Sequence, residues 1–173
     1  MGENALMIVL RLVHILAGIF WAGGIALLAW FILPAQSAVG QAGMAFMQEL
    51  MMRRRARFYI TTAMVLTVLS GLFMYARLAM TTEGVWAAST TAKVLGVGAL
   101  AAIIAGGIGS AVGGSTAKKM AQLGATIQAA GGTPSEAQRA EMAALQARAQ
   151  KALRIVALLL VITVAAMASA RYL

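Results

Sequence analysis

An all-α, polytopic membrane protein is the fold class this sequence predicts: four transmembrane helices in an up-and-down bundle, with a helical hairpin carrying the third and fourth beyond the membrane. Three observations lead there. Of 173 residues, 61% are hydrophobic and only 11% charged, a composition that leaves a soluble domain without enough polar surface to cover itself. Four apolar stretches, roughly residues 6–33, 58–80, 91–114 and 152–170, approach or exceed the length of about 20 residues that crosses a hydrocarbon core about 30 Å thick. The basic residues gather mainly on one side of those stretches.

The first stretch has the apolar character of a signal peptide. It is longer than a signal h-region and has no clear small-residue cleavage site followed by polar sequence, so it reads as a helix of the mature protein. After it, residues 41–57 interleave Met and Leu with polar residues and hold no Pro or Gly beyond Gly43. The second helix is therefore expected to begin well before its span, with Arg53, Arg54, Arg55 and Arg57 at the headgroups.

The third span is rich in small residues: Gly98, Ala102, Gly106, Ser110 and Gly114 recur every four positions, with Ala105, Gly109 and Gly113 in an adjacent row. Gly18, Ala22 and Ala26 make a similar stripe in the first span. In lipid, burying apolar side chains drives helices together only weakly, and close approach through small residues takes over. Such rows serve packing within one chain, a dimer seam, or a face that admits the flat ring of a cofactor.

Residues 115–151 form the predicted hairpin. Its two arms are rich in Ala, Gln, Lys and Glu and are divided by Gly131, Gly132, Thr133 and Pro134, with Thr133 read as N-cap, Pro134 as the first helical residue and Glu136 at N3. Helices running unbroken from the membrane into these arms reach nearly 40 residues, or about 60 Å. No repeat or second domain is visible, and residues 1–173 read as one unit.

Counting by side, ten Lys and Arg flank the inner ends of the spans: the four arginines of 53–57, then Lys118, Lys119, Arg139, Arg148, Lys151 and Arg154. Arg11, Arg77, Lys93 and Arg171 remain for the opposite face. The positive-inside rule then places the hairpin in the cytoplasm and both termini outside. The net charge of +9 is accounted for by topology and anionic lipid, so no nucleic-acid partner is expected.

Cysteine is absent, which excludes disulfides, thiolate metal sites and covalent haem attachment. The five acidic residues, Glu3, Glu49, Glu83, Glu136 and Glu141, all lie outside the spans. A carboxylate proton path is therefore missing, and the scattered Thr61, Thr62, Thr67, Ser70 and Thr163 do not make a transport pathway. No nucleophile motif accompanies the single histidine, so a non-enzymatic role is expected.

That histidine, His14, stands about two turns into the first span. Arg11 one turn before it, Gly18 one turn after and Trp21 two turns after align with it on one stripe. An ionisable group inside a membrane is a candidate for function. A neutral imidazole can ligate haem iron or copper, bind a quinone carbonyl or relay protons; the plain alternative is a ring hydrogen-bonded to a neighbouring backbone or hydroxyl group. Two-histidine haem ligation within one chain is impossible here. By depth, Met74 and Met167 fall near the level of His14 as second-ligand candidates, with Tyr75, Arg77 and Lys93 nearer the surface. Met44, Met47, Met51 and Met52 cluster on the basic side, where flexible packing explains them better than Cu(I) binding.

The run Leu12 to Gly24, LVHILAGIFWAGG, resembles the first helix of the copper-resistance D-like membrane proteins and related small four-helix families, in which a histidine near the outer face precedes a Trp-x-Gly-Gly element. His14, Trp21, Gly23 and Gly24 are the matching positions. The resemblance implies a helical bundle of the bacterial inner membrane, facing the periplasm, that handles haem b or copper or sits beside redox enzymes. His14 would be the ligand and Trp21, Gly23 and Gly24 its packing context. The competing expectation is a non-catalytic accessory subunit, joined to other membrane subunits or to a second copy of itself.

Overall fold

The computed structural model describes residues 2–173; Met1, where the single domain read from the sequence begins, lies outside them. The described chain is 91% helical, without strands. Six α-helices follow in order: α1 (Gly2–Leu27), α2 (Leu33–Ala38), α3 (Gln41–Gln48), α4 (Ala56–Thr81), α5 (Thr90–Ala129) and α6 (Glu136–Ser169). Four helical stretches are long and apolar enough to cross a membrane: Asn4–Ala38, Ala56–Thr81, Thr90–Ala129 and Glu136–Tyr172. Only 17–28% of each apolar window is buried by the protein itself. The remainder needs a lipid covering, as in an integral membrane protein.

The first span is one continuous rod through α1 and α2, joined by a π turn at Leu28–Ile32. Pro34 is the cause the sequence supplies. It has no N–H to return to the Trp30 carbonyl, and its ring crowds that oxygen. The ladder widens just before it, so that the Leu33 N–H reaches the Leu28 carbonyl.

Beyond α2 the chain turns sharply at Gly40, whose φ of 60° and ψ of −123° suit only glycine. It then doubles back so closely that a Cβ on Gly43 would overlap the backbone of Gln36. The expectation that the second helix starts in this segment is corrected here. α3 and the π turn at Glu49–Arg53 form a separate piece, and Arg55, in the left-handed region at φ 55°, ends it before α4 starts at Ala56. The physical reason is lateral: the chain must cross from the foot of α2 to the foot of α4, which a single straight helix cannot do.

The helices pack as two antiparallel pairs, α1 with α4 and α5 with α6, joined by thinner contacts of α1 with α6 and α4 with α5. At the centre lie Trp21, Ile25, Ala29, Ala63, Ala102, Ala105, Val156, Ala157 and Leu160, all buried. Small residues allow this proximity. A Cβ at Gly98 would stand 3.1 Å from that of Ala166 and 3.4 Å from the Thr163 carbonyl, and the Thr163 hydroxyl donates to the Gly98 carbonyl at 3.1 Å. Gly106 serves the other pair, with Met64 Sδ 3.1 Å and Trp21 Cη2 4.0 Å from where its Cβ would be. Packing within the chain thus occupies the part of the small-residue row at Gly98, Ala102 and Gly106. Gly107 and Gly113 have nothing within 4 Å.

The long hairpin is present as expected: α5 is 40 residues and α6 is 34. Their junction shifts by two residues. Ser135, not Thr133, is the N-cap, with its hydroxyl accepting from Gln138 N–H and the Gln138 side chain accepting from Ser135 N–H. Pro34 and Pro134 thus play different parts, since Pro134 stands before the cap and not inside the helix. Both readings satisfy the S/T-x-x-E/Q pattern, and the positive φ of Gly131 and Gly132 carries the turn far enough that the later pair closes the box. Ser135→Ala is expected to destabilise this hairpin by about 1 kcal/mol. Limited proteolysis should show faster cutting near residues 130–136 while the spans remain intact.

No large hydrophobic side chain is exposed between Ile104 and Ile155. The hairpin extension therefore turns its apolar side chains inward and presents an even polar and alanine surface, without the stripe a docking helix would need.

Candidate functional site

His14 lies on α1 against α4, toward the end of the bundle that holds the chain termini. Its Nδ1–H donates to the Thr67 carbonyl at 2.8 Å. A carbonyl only accepts, so this bond identifies Nδ1 as the protonated nitrogen and, in the neutral ring, leaves the lone pair on Nε2. Ser70 Oγ stands 3.4 Å from the same Nδ1 and can share its proton, because the Ser70 hydroxyl hydrogen is directed to the Leu66 carbonyl. The Thr67 hydroxyl bonds back to the Ala63 carbonyl at 2.7 Å. That keeps it from competing for the imidazole.

Gly71 makes room for the ring. A Cβ there would come 2.7 Å from His14 Cε1 and 3.0 Å from Nδ1, closer than side-chain carbons approach one another. One turn along α1, Gly18 faces Thr67, its Cβ position 3.5 Å from Thr67 Cγ2. Two turns along, Trp21 is only 3% exposed and sits among Met64 and Gly106. The stripe His14, Gly18, Trp21 is thus a packing seam, onto α4 at His14 and Gly18 and reaching Gly106 of α5 at Trp21. Gly23 and Gly24 have open space where a Cβ would stand.

The sequence-derived second ligands lie on other elements. Met74 is on α4, three residues beyond Gly71 and half-buried. Met167 is on α6, with its Cε 3.4 Å from the Cβ position of Gly98 on α5. The register that sets Met64 on Gly106 brings Gly71 to about the level of Gly98. The contacts that hold His14 itself run to Thr67, Ser70 and Gly71.

Those three residues are what sequence reasoning missed. Thr67 and Ser70 were visible only as scattered polar positions, and Gly71 was not singled out. The signal was available in their spacing: Thr67, Ser70 and Gly71 share one face of the second span at the depth of His14. Above them, Tyr75 donates to the Ala92 carbonyl at 3.3 Å and meets the Trp86 ring edge-on at 5.0 Å, closing that end of the bundle.

As a donor set for a metal, the site offers one imidazole. Among the described residues no group of three or more His, Cys, Asp or Glu could hold an ion. A ring whose Nδ1–H is tied to a backbone carbonyl has the arrangement common to metal-ligating histidines, in which that bond fixes tautomer and orientation. A metal or haem bound here would be held by Nε2 of His14, with any further ligand a thioether or a group from outside the chain. Compared with family models, curated proteins and solved structures, the chain matches none.

Proposed function

We propose that this is a small integral membrane protein of the copper-resistance D-like kind that binds haem b or copper through Nε2 of His14, near the outer face, in membrane electron transfer. The observation that supports this most is the hydrogen bond from His14 Nδ1–H to the Thr67 carbonyl, which presents the other nitrogen as a pre-oriented ligand. Bound there, haem or copper would supply one-electron chemistry. The chain's own part would be to orient the imidazole and to keep a dry, apolar wall of α1 and α4 around it. In this reading the basic hairpin faces the cytoplasm of a bacterial inner membrane and both termini face the periplasm, by the positive-inside rule.

A second reading is favoured by a different observation. The hydrogen bond of His14 and its fit onto Gly71 also serve as a latch between α1 and α4, which is all that a non-catalytic accessory subunit needs. Its partner would meet the helix faces inside the bilayer, because the hairpin extension exposes no large apolar side chain.

An oxidised and dithionite-reduced absorption spectrum of protein purified gently from its native membrane separates the two. The ligand reading expects a Soret band that shifts on reduction and is lost in His14→Ala, or stoichiometric copper lost in the same variant. Gel filtration of the variant checks that the bundle survives. A colourless, copper-free preparation would leave the accessory-subunit reading.

A further inference from the structure

An apolar groove of about 300 Å³ lies between α4 and α5, lined by Met64, Val65, Val68, Ile103, Gly107 and Ser110 among others. It exists because α4 and α5 belong to different helical pairs and touch only lightly, and because Gly107 leaves open space where a side chain would stand. The α5 wall continues in one stripe, Ile103, Gly107, Ser110, Gly114 and Lys118, toward the hairpin end of the bundle. At the foot of that stripe Arg57 reaches across from α4, its Nη2 3.6 Å from the Cβ position of Gly114.

Charge at this foot is uncompensated. Glu49, the acidic residue of the α3 segment, is taken by Arg53 at 3.5 Å and by Arg54 at 3.2 Å. Among the described residues neither Arg57 nor Lys118 is ion-paired. A guanidinium and an ammonium at the mouth of an apolar slot are complementary to an anionic headgroup with an acyl chain behind it.

The axial dimension agrees. From Gly114 to Ile103 the stripe rises about 16 Å at 1.5 Å per residue, about half of a hydrocarbon core about 30 Å thick. That is the depth one leaflet's acyl chain occupies. A helix from a second copy would instead have to cover the row across the full membrane, and the part of that row at Gly98, Ala102 and Gly106 is already consumed within the chain.

We infer that the α4–α5 groove is a binding site for one anionic phospholipid of the leaflet on the basic side, its phosphate held by Arg57 and Lys118 and one acyl chain laid over Gly107. The site is separate from His14 and independent of whether that residue holds a cofactor.

The test is native mass spectrometry of the full-length protein in detergent, after delipidation and addition of dioleoylphosphatidylglycerol or dioleoylphosphatidylcholine. The wild-type chain is expected to retain one phosphatidylglycerol per copy under activation that strips phosphatidylcholine. Arg57→Gln should weaken that retention about tenfold, the size of one lost charge-assisted bond. Gly107→Leu, which fills open space and so leaves the fold intact, should abolish it, whereas Gly124→Leu, also in open space but on the hairpin extension, should not. Equal retention of the two lipids, or retention unchanged in Gly107→Leu, overturns the proposal. So does a dimer in the wild type that Gly107→Leu converts to monomer, which would give the groove to a second copy.

Discussion

Trp21→Ala is expected to destabilise the bundle more than any other single truncation. Trp21 is the largest of the buried side chains at the centre and shares that cluster with Ala63 on α4, Ala102 and Ala105 on α5, and Val156, Ala157 and Leu160 on α6. In water-soluble proteins such a change costs about 3–5 kcal/mol, part transfer and part cavity. In a bilayer the unfolded helices remain in an apolar solvent, so the transfer part falls away and lost packing dominates. We expect about 3 kcal/mol, the lower end of that range. Reversible unfolding in mixed micelles of increasing SDS fraction measures it. A loss below about 1 kcal/mol, the size of an ordinary surface effect, would mean that the two helical pairs are not joined through this residue.

Gly71→Leu should come next, and Gly71→Ala should tell its cause. Even the alanine methyl would meet the His14 ring at 2.7 Å. The ring must swing away and give up its bond to the Thr67 carbonyl, while the larger leucine also forces α1 from α4. Overpacking typically costs about 1–3 kcal/mol, and a lost hydrogen bond about 1 kcal/mol more. Melting monitored by circular dichroism should show the order wild type, then alanine, then leucine. If His14 carries a haem, Gly71→Ala also shifts its spectrum while the protein remains folded. A purely structural latch would lose stability without any spectral change.

The sequence carried a great deal of this architecture because membrane insertion reads composition directly. Runs such as 58–80 and 91–114 span lipid whatever surrounds them, since every backbone group must be satisfied inside the helix itself. The length of α5 and α6 followed from the absence of proline between Thr91 and the glycines at 131 and 132 and again after Pro134, so that each apolar span continues into its Ala- and Gln-rich hairpin arm. The partners of His14 were marked only by Thr67, Ser70 and Gly71 sharing one face of the second span, a spacing that does not say what each supplies. Thr67 contributes its backbone carbonyl, which every residue has, and Gly71 contributes the absence of a side chain.

The corrections have the same origin. Thr133 and Ser135 both offer a capping hydroxyl, and only the path of the turn through Gly131 and Gly132 chooses between them. Residues 41–53 have helical composition and are helical, yet they form a crossing segment and not the start of α4, because Gly40 and Arg55 place a corner at each end.

What the sequence by itself determined, then, is the number of membrane-spanning stretches, the long hairpin of the third and fourth, and the presence of one ionisable ring among apolar neighbours; these depend on short-range spacing and on solvent preference. Only the tertiary structure decided that α1 pairs with α4 and α5 with α6, that His14 gives its Nδ1–H to Thr67, and that a groove opens over Gly107 above Arg57. Pairing in lipid is chosen by which small-residue faces fit closest, a comparison among all the helices at once that no single segment contains.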